Sequence, residues 1–187
     1  MQVLKSIVAA LFVAILLVGC GGSQPEVKPT VVGDVPEWWE NELPSDPNTL
    51  FARATAESQS QQFAINKAKQ DCMLDLSQQM ESNLSGLTKK FAQEVGTGGD
   101  TQLLEEATQV SKSVTKQTLV GAKEKYRKAS KDGNKWVAYV LVELPLGAAK
   151  EALAKQIQEN KNLYTRFQAS QSFKELEQEM NKMEEKK

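Results

Sequence analysis

The sequence predicts an α+β fold: a small antiparallel sheet of about three strands, with helices packed on one face and a long C-terminal helix. Three observations carry this. Asp132-Gly133 lies between two β-rich runs, the pattern of a tight hairpin. From Ile65 to Val95 apolar residues recur in steps of three and four, which keeps one face of a long helix toward a core. Ahead of that helix, residues 50–57 form a short Ala-rich run entered through the turn residues Asp46-Pro47-Asn48.

In chain order, the first strand is expected over residues 50–57. Ser58 and Gln61 then have the spacing of a capping box, which would start the first helix. Its apolar line is Ile65, Ala68, Cys72, Leu76, Met80, Leu84, Leu87, Phe91 and Val95, with Gly86 a candidate bend. Residues 96–100 (GTGGD) are not a phosphate loop, since no Lys-Ser/Thr follows and a helix precedes them; Asp100 is expected to cap the next helix. That second helix carries Leu103, Ala107, Val110 and Val114 on one face and ends before Gly121.

The hairpin follows, with strands near residues 119–129 and 135–144 and a turn at residues 131–134. In its second strand Trp136, Ala138, Val140, Val142 and Leu144 share one face, and Val137, Tyr139 and Leu141 the other. Apolarity on both sides predicts a central strand. Pro145 stops it, and the chain from Leu146 onward reads as helix, with the line Ala149, Leu153, Ile157, Tyr164, Phe167, Phe173, Leu176, Met180 and Met183. Ser172 and Glu175 offer a second capping box where the helix can restart. The charged last stretch reads as an exposed tail, the alternative being a helix that finds a partner.

Composition excludes several function classes. The 187 residues carry 23 Lys plus Arg against 24 Asp plus Glu, so the net charge of -1 gives no reason to expect a nucleic-acid partner. Histidine is absent, which removes the commonest general base and zinc ligand. With no nucleophile elbow or metal-ligand cluster either, no enzyme, catalytic residue, metal or small-molecule substrate is expected.

The N-terminus points to a location. Lys5 precedes an unbroken apolar run over residues 7–18, the shape of a secretory signal. The run is shorter than the roughly 20 residues a spanning helix needs. Leu17-Val18-Gly19-Cys20 resembles the lipobox of bacterial lipoproteins. That resemblance implies cleavage before Cys20, a diacylglyceryl group on its sulfur and an acylated amino group; this covalent lipid is the only prosthetic group expected. Two or more acyl chains hold a protein stably on a bilayer, at about 0.8 kcal/mol per buried methylene. Position 21 is Gly and not the Asp of inner-membrane retention, so the resemblance implies the outer membrane, on its periplasmic face. Residues 20–35 then form a lipidated tether rich in Gly, Pro and small polar residues, able to reach on the order of 20 Å. The expected organisation is a signal peptide (1–19), this tether (20–35), an α+β domain (36–146) and a C-terminal helical extension (147–187).

The lipobox, the short tether, Pro36-Glu37-Trp38, the strand FARATAES, a helix beginning QQFAINKAKQDC and a late hairpin ending WVAYVLVELP together resemble the LPP-twenty family of outer-membrane lipoproteins. The resemblance covers residues 36–146 and rests chiefly on the spacing of Ala64 and Ala68 and on the terminal strand. It implies a non-enzymatic envelope lipoprotein with a structural or assembly role, in a family that includes flagellar basal-disk and outer-membrane ring components. Copies of itself or other envelope proteins are the expected partners.

Four sets of residues remain as candidates. Lys123, Lys125 and Arg127 alternate along the first hairpin strand, near Lys128, Lys131 and Lys135; they form either a patch for peptidoglycan or another anionic glycan, or a charged edge that resists strand pairing. Trp38 and Trp39 are expected to pin the tether to the domain, the alternative being stacking on sugar rings. Cys72, on the apolar line, is expected to be a buried inert thiol and not an intermolecular disulfide. Asp71 and Asp75 lie one helical turn apart and are expected to be solvated.

Overall fold

The computed structural model describes residues 34–184. A four-residue helix, α1 (Glu37–Glu40), precedes strand β1 (Thr49–Ser58). Asp46 sets the turn into β1, accepting hydrogen bonds from the Asn48 N–H at 2.8 Å and the Thr49 hydroxyl at 3.0 Å. Ser58 is the last residue of β1 and not a helix cap: its hydroxyl oxygen accepts from the Ser60 N–H at 3.3 Å, and Ser60 occupies the N-cap position without a side-chain bond. The capping box expected there does not form.

Helix α2 (Gln61–Glu94) runs for 34 residues and continues through Gly86. At 1.5 Å per residue it is about 50 Å long, against about 33 Å for a ten-residue strand, so it outruns the sheet. Its first half buries Ala64, Ile65, Ala68, Cys72 and Leu76 on the sheet, where the small residues allow close approach to Ala52, Ala56 and Ala138. Its second half, carrying Met80, Leu84, Phe91 and Ala92, continues the same core among the remaining helices. Gly96, at φ 74, turns the chain beyond α2 in a conformation that favours glycine.

Asp100 caps α3 (Thr101–Thr118), its carboxylate accepting from the Leu103 N–H at 3.0 Å, a contact worth about 1 kcal/mol. Leu103, Ala107 and Val114 are buried as expected. Ser111 and Thr115 are buried too, each hydroxyl donating to the carbonyl four residues back, while Val110 is half-buried. Leu119–Gly121 form a 3₁₀ turn, so β2 begins later than the sequence suggested, at Lys123–Asp132. Gly133, at φ 52, is the first of two turn residues before β3 (Lys135–Pro145), the placement that a type II′ hairpin requires.

The sheet order is β1-β3-β2, antiparallel throughout. The α+β fold and the central position of β3 are therefore as the sequence predicts. Ala138, Val140, Val142 and Leu144 join the core beside α2, and Val137, Tyr139 and Leu141 are buried on the opposite face.

The C-terminal region is three helices, α4 (Gly147–Glu159), α5 (Lys161–Phe167) and α6 (Gln171–Glu184). Asn160 breaks the run: its side-chain oxygen accepts from the N–H groups of Asn162 and Leu163, both at 3.1 Å. Ser170, not Ser172, caps α6, accepting from the Phe173 N–H at 3.1 Å. Nor do residues 173–180 form an exposed tail or a separate extension. Phe173, Leu176 and Met180 are buried in one continuous core with Leu153, Ile157, Leu163 and Phe167, and that core reaches Ala52 in the sheet. Phe91 of α2 meets Phe167 and Phe173 edge-to-face, at centroid separations of 5.8 and 5.5 Å. The side chain of Met183 lies outside the described residues.

Candidate functional site

Pairing in the sheet sorts the hairpin side chains onto two faces. Phe51, Arg53, Thr55 and Glu57 of β1 lie opposite Glu143, Leu141, Tyr139 and Val137 of β3, so all eight share the face turned away from α2. The segment ahead of β1 lies across this face as a strap. Trp38 stacks on Tyr126 at 5.7 Å with 30° between the rings, and Trp39 meets Tyr139 edge-on at 5.1 Å. The two tryptophans also contact each other at 5.9 Å.

Arg53 fastens the strap from below. Its guanidinium donates to the carbonyls of Trp39 at 2.6 Å and Asn41 at 2.7 Å, oxygens that the end of a four-residue helix cannot satisfy internally. The same group lies 5.2 Å from the Trp39 ring centroid, a cation–π distance. Lys128 forms an ion pair with Asp34 at the start of the strap. Burial, with the nearby Glu57 charge adding to it, raises the Tyr139 phenol above its usual pKa, so the ring stays neutral under the strap. The tryptophans thus pin the segment to the domain. Arg53, Tyr126 and Tyr139 complete the seat; their only sequence signal was strand alternation.

The basic set does not form one face. A bulge between Glu124 and Tyr126 shifts the register of β2. Lys123 is opposite Glu143 on the strapped side, whereas Arg127 is opposite Val140 on the α2 side. Lys125 pairs with Glu143 at 3.0 Å and sits 5.0 Å from the Phe51 ring centroid; Arg127 lies 3.4 Å from the Glu124 carboxylate. Much of the positive charge is met within the sheet. Lys135 likewise pairs with Glu57 at 3.2 Å.

Cys72 is fully buried, with its thiol 3.5 Å from the Val140 carbonyl oxygen, and desolvation pushes its pKa up to about 11. Asp71 and Asp75 are exposed, and Asp75 accepts from the Gln79 amide at 3.1 Å. Among the described residues no group of three or more Cys, Asp and Glu is arranged to hold a metal ion.

A second polar cluster, invisible in sequence, joins α2 to α6. Glu94 accepts from the Ser170 hydroxyl at 2.6 Å, the Ser172 N–H at 2.9 Å and the Ser172 hydroxyl. The two hydroxyls first, and then the Ser172 N–H, lower its pKa from 4.5 to about 2. A carboxylate at the N-terminus of α6 also complements the helix dipole. Nearby, a surface groove of about 480 Å³ runs between Asn83, Gly86 and Lys90 of α2 and Leu146 and Lys150 at the start of α4. Its Lys150 is held by Glu179 at 3.5 Å and Asn48 at 3.2 Å.

Leu17, Val18, Gly19 and Cys20 lie outside the described residues, as does the tether up to Gly33. Among the described residues no helix is long and apolar enough to cross a membrane. No protein-family model matches the chain, and no curated protein matches it.

Proposed function

We propose that this chain is a non-enzymatic bacterial outer-membrane lipoprotein, anchored through lipid on Cys20, whose α+β domain has a structural or assembly role in the envelope. The observation that carries this reading is the strap. Residues 34–41, which lie between the lipobox-like motif and β1, are fastened to the sheet through Trp38, Trp39, Arg53 and Lys128. A domain held at its N-terminal side in this way suits suspension from a lipidated cysteine. The short apolar run ahead of Cys20, the Gly at position 21 and the resemblance to LPP-twenty lipoproteins support the same reading.

A tethered module for an anionic glycan is the weaker reading. It needs Lys123, Lys125 and Arg127 on one free face, and the bulge and the pairings with Glu143 and Glu124 work against that. The test of the anchor is metabolic labelling with palmitate in a bacterium with two membranes, followed by membrane separation. The wild-type chain is expected to carry label and sediment with outer membrane, and Cys20→Ala to lose both. Unlabelled wild-type protein in the soluble fraction would overturn the reading.

A further inference from the structure

The two edges of the sheet are unlike. β2 is charged at most positions and bulged between Glu124 and Tyr126, features that block further pairing. β1 has neither protection: it pairs with β3 in unbroken register from Thr49 to Ser58, contains no proline, and carries only Arg53 and Glu57 as charges. The Gln79 amide of α2 donates to the Phe51 carbonyl at 3.1 Å, so that oxygen points away from β3. Backbone direction alternates along an antiparallel strand, and the N–H and C=O groups of Arg53, Thr55 and Glu57 therefore point outward as well. Among the described residues no strand takes them up, and Thr55 and Glu57 are exposed.

We propose that β1 pairs antiparallel with β1 of a second copy, with Thr55 opposite Thr55 on a two-fold axis. This rests on the assembly reading above and names its unit. The charges select the register. Centring on Thr55 sets Arg53 opposite Glu57 of the second copy, and Glu57 opposite its Arg53, with Ala54 facing Ala56. Centring on Arg53 or on Glu57 sets like charges against each other, and centring on Ala54 or Ala56 leaves the charges unmatched. Arg53 uses Nη1 for the strap carbonyls, which leaves its other N–H groups for the carboxylate. Glu57 already faces Lys135, so the pair extends an existing ion-pair chain.

The product is one continuous sheet in the order β2-β3-β1-β1-β3-β2. Both outer edges are then the blunted β2 strands, and association closes at two copies. The two-fold axis stands perpendicular to the sheet. Both α2 helices therefore lie on one side and both straps on the other, as two chains leaving toward the same bilayer require.

The test uses the full chain extracted in mild detergent, its protein mass measured by light scattering. The wild type is expected to have the mass of two copies, and Thr55→Lys, a substitution at an exposed position, that of one, with circular dichroism unchanged. Under mild oxidation Thr55→Cys is expected to yield a covalent dimer, whereas Lys123→Cys on the far edge is not. A monomeric wild type, a Thr55→Lys variant that keeps the double mass, or a Thr55→Cys variant that fails to cross-link would overturn the pairing. Palmitate labelling of Cys20 is read separately: a labelled, membrane-bound monomer sinks the pairing and leaves the anchor standing, and an unlabelled dimer does the reverse.

Discussion

Replacing Phe173 by Ala tests whether α6 belongs to the domain. Phe173 is fully buried, meets Phe91 at 5.5 Å and Tyr164 at 6.2 Å, and shares Phe91 with Phe167. Truncation removes the ring from a packed cluster that cannot fully collapse, because the long helix carrying Phe91 is held on the sheet by its other half. Phenylalanine-to-alanine changes at such sites cost about 3–5 kcal/mol, of which the edge-to-face pair with Phe91 accounts for about 0.5–1.5 kcal/mol. For a chain of this size each kcal/mol lowers Tm by about 2–4 °C, so a fall of about 6–20 °C is expected. With an m-value of about 2 kcal/mol/M, the urea midpoint should fall by about 1.5–2.5 M. Leu74→Ala, at a position 61% exposed on the outer side of α2, is the control and should stay within about 0.5 kcal/mol. Urea unfolding followed by far-ultraviolet circular dichroism measures both. A loss below about 1 kcal/mol, or a two-step transition in which part of the helix signal melts first, would refute the single core and make α6 an appendage.

Two further outcomes follow from the buried and bonded groups. The folded pKa of Glu94 lies below its unfolded value, so the stability it contributes is complete above pH 4.5 and is lost as pH falls toward 2. In thermal melts the wild type should therefore lose its advantage over Glu94→Gln across that window, and parallel curves from pH 7 to 2.5 would refute the bonding to Ser170 and Ser172. Cys72, buried and with a pKa near 11, should resist an aromatic disulfide reagent at pH 8 in the folded protein and react fully in urea; rapid native reaction would mean that the α2–sheet contact opens readily.

Patterns set by one element and its own burial were legible in the sequence. The apolar line of α2 appears almost unchanged in the core, the Asp-Gly turn marked the hairpin, and two-sided apolarity identified β3 as central. Features decided between distant elements were not. Both predicted capping boxes have the right spacing, yet Ser58 is consumed by the end of β1, and Ser172 is taken by Glu94, a residue 78 positions earlier. The charged stretch of α6 hid its burial because a narrow apolar stripe suffices when Phe91 and Phe167 supply the other wall. The bulge at Glu124 and Tyr126 left no mark in the alternation of Lys123, Lys125 and Arg127, which therefore looked like one face. The seat of the strap needed Arg53, Tyr126 and Tyr139 together, from three separate strands.

The strap also decides how the domain meets mechanical load. Among the described residues, a pull arriving along the N-terminal chain meets Asp34 and its ion pair with Lys128 first, then the two tryptophans, then the carbonyls held by Arg53. Only when these contacts have peeled does tension reach β1, whose loss would uncover the core at Ala52 and Ala56. The eight residues from Asp34 to Asn41 span at most about 28 Å when drawn straight. Side-chain contacts that re-form quickly thus stand in front of backbone pairing that is costly to rebuild, and a tug within that length stretches the leash while the fold stays intact.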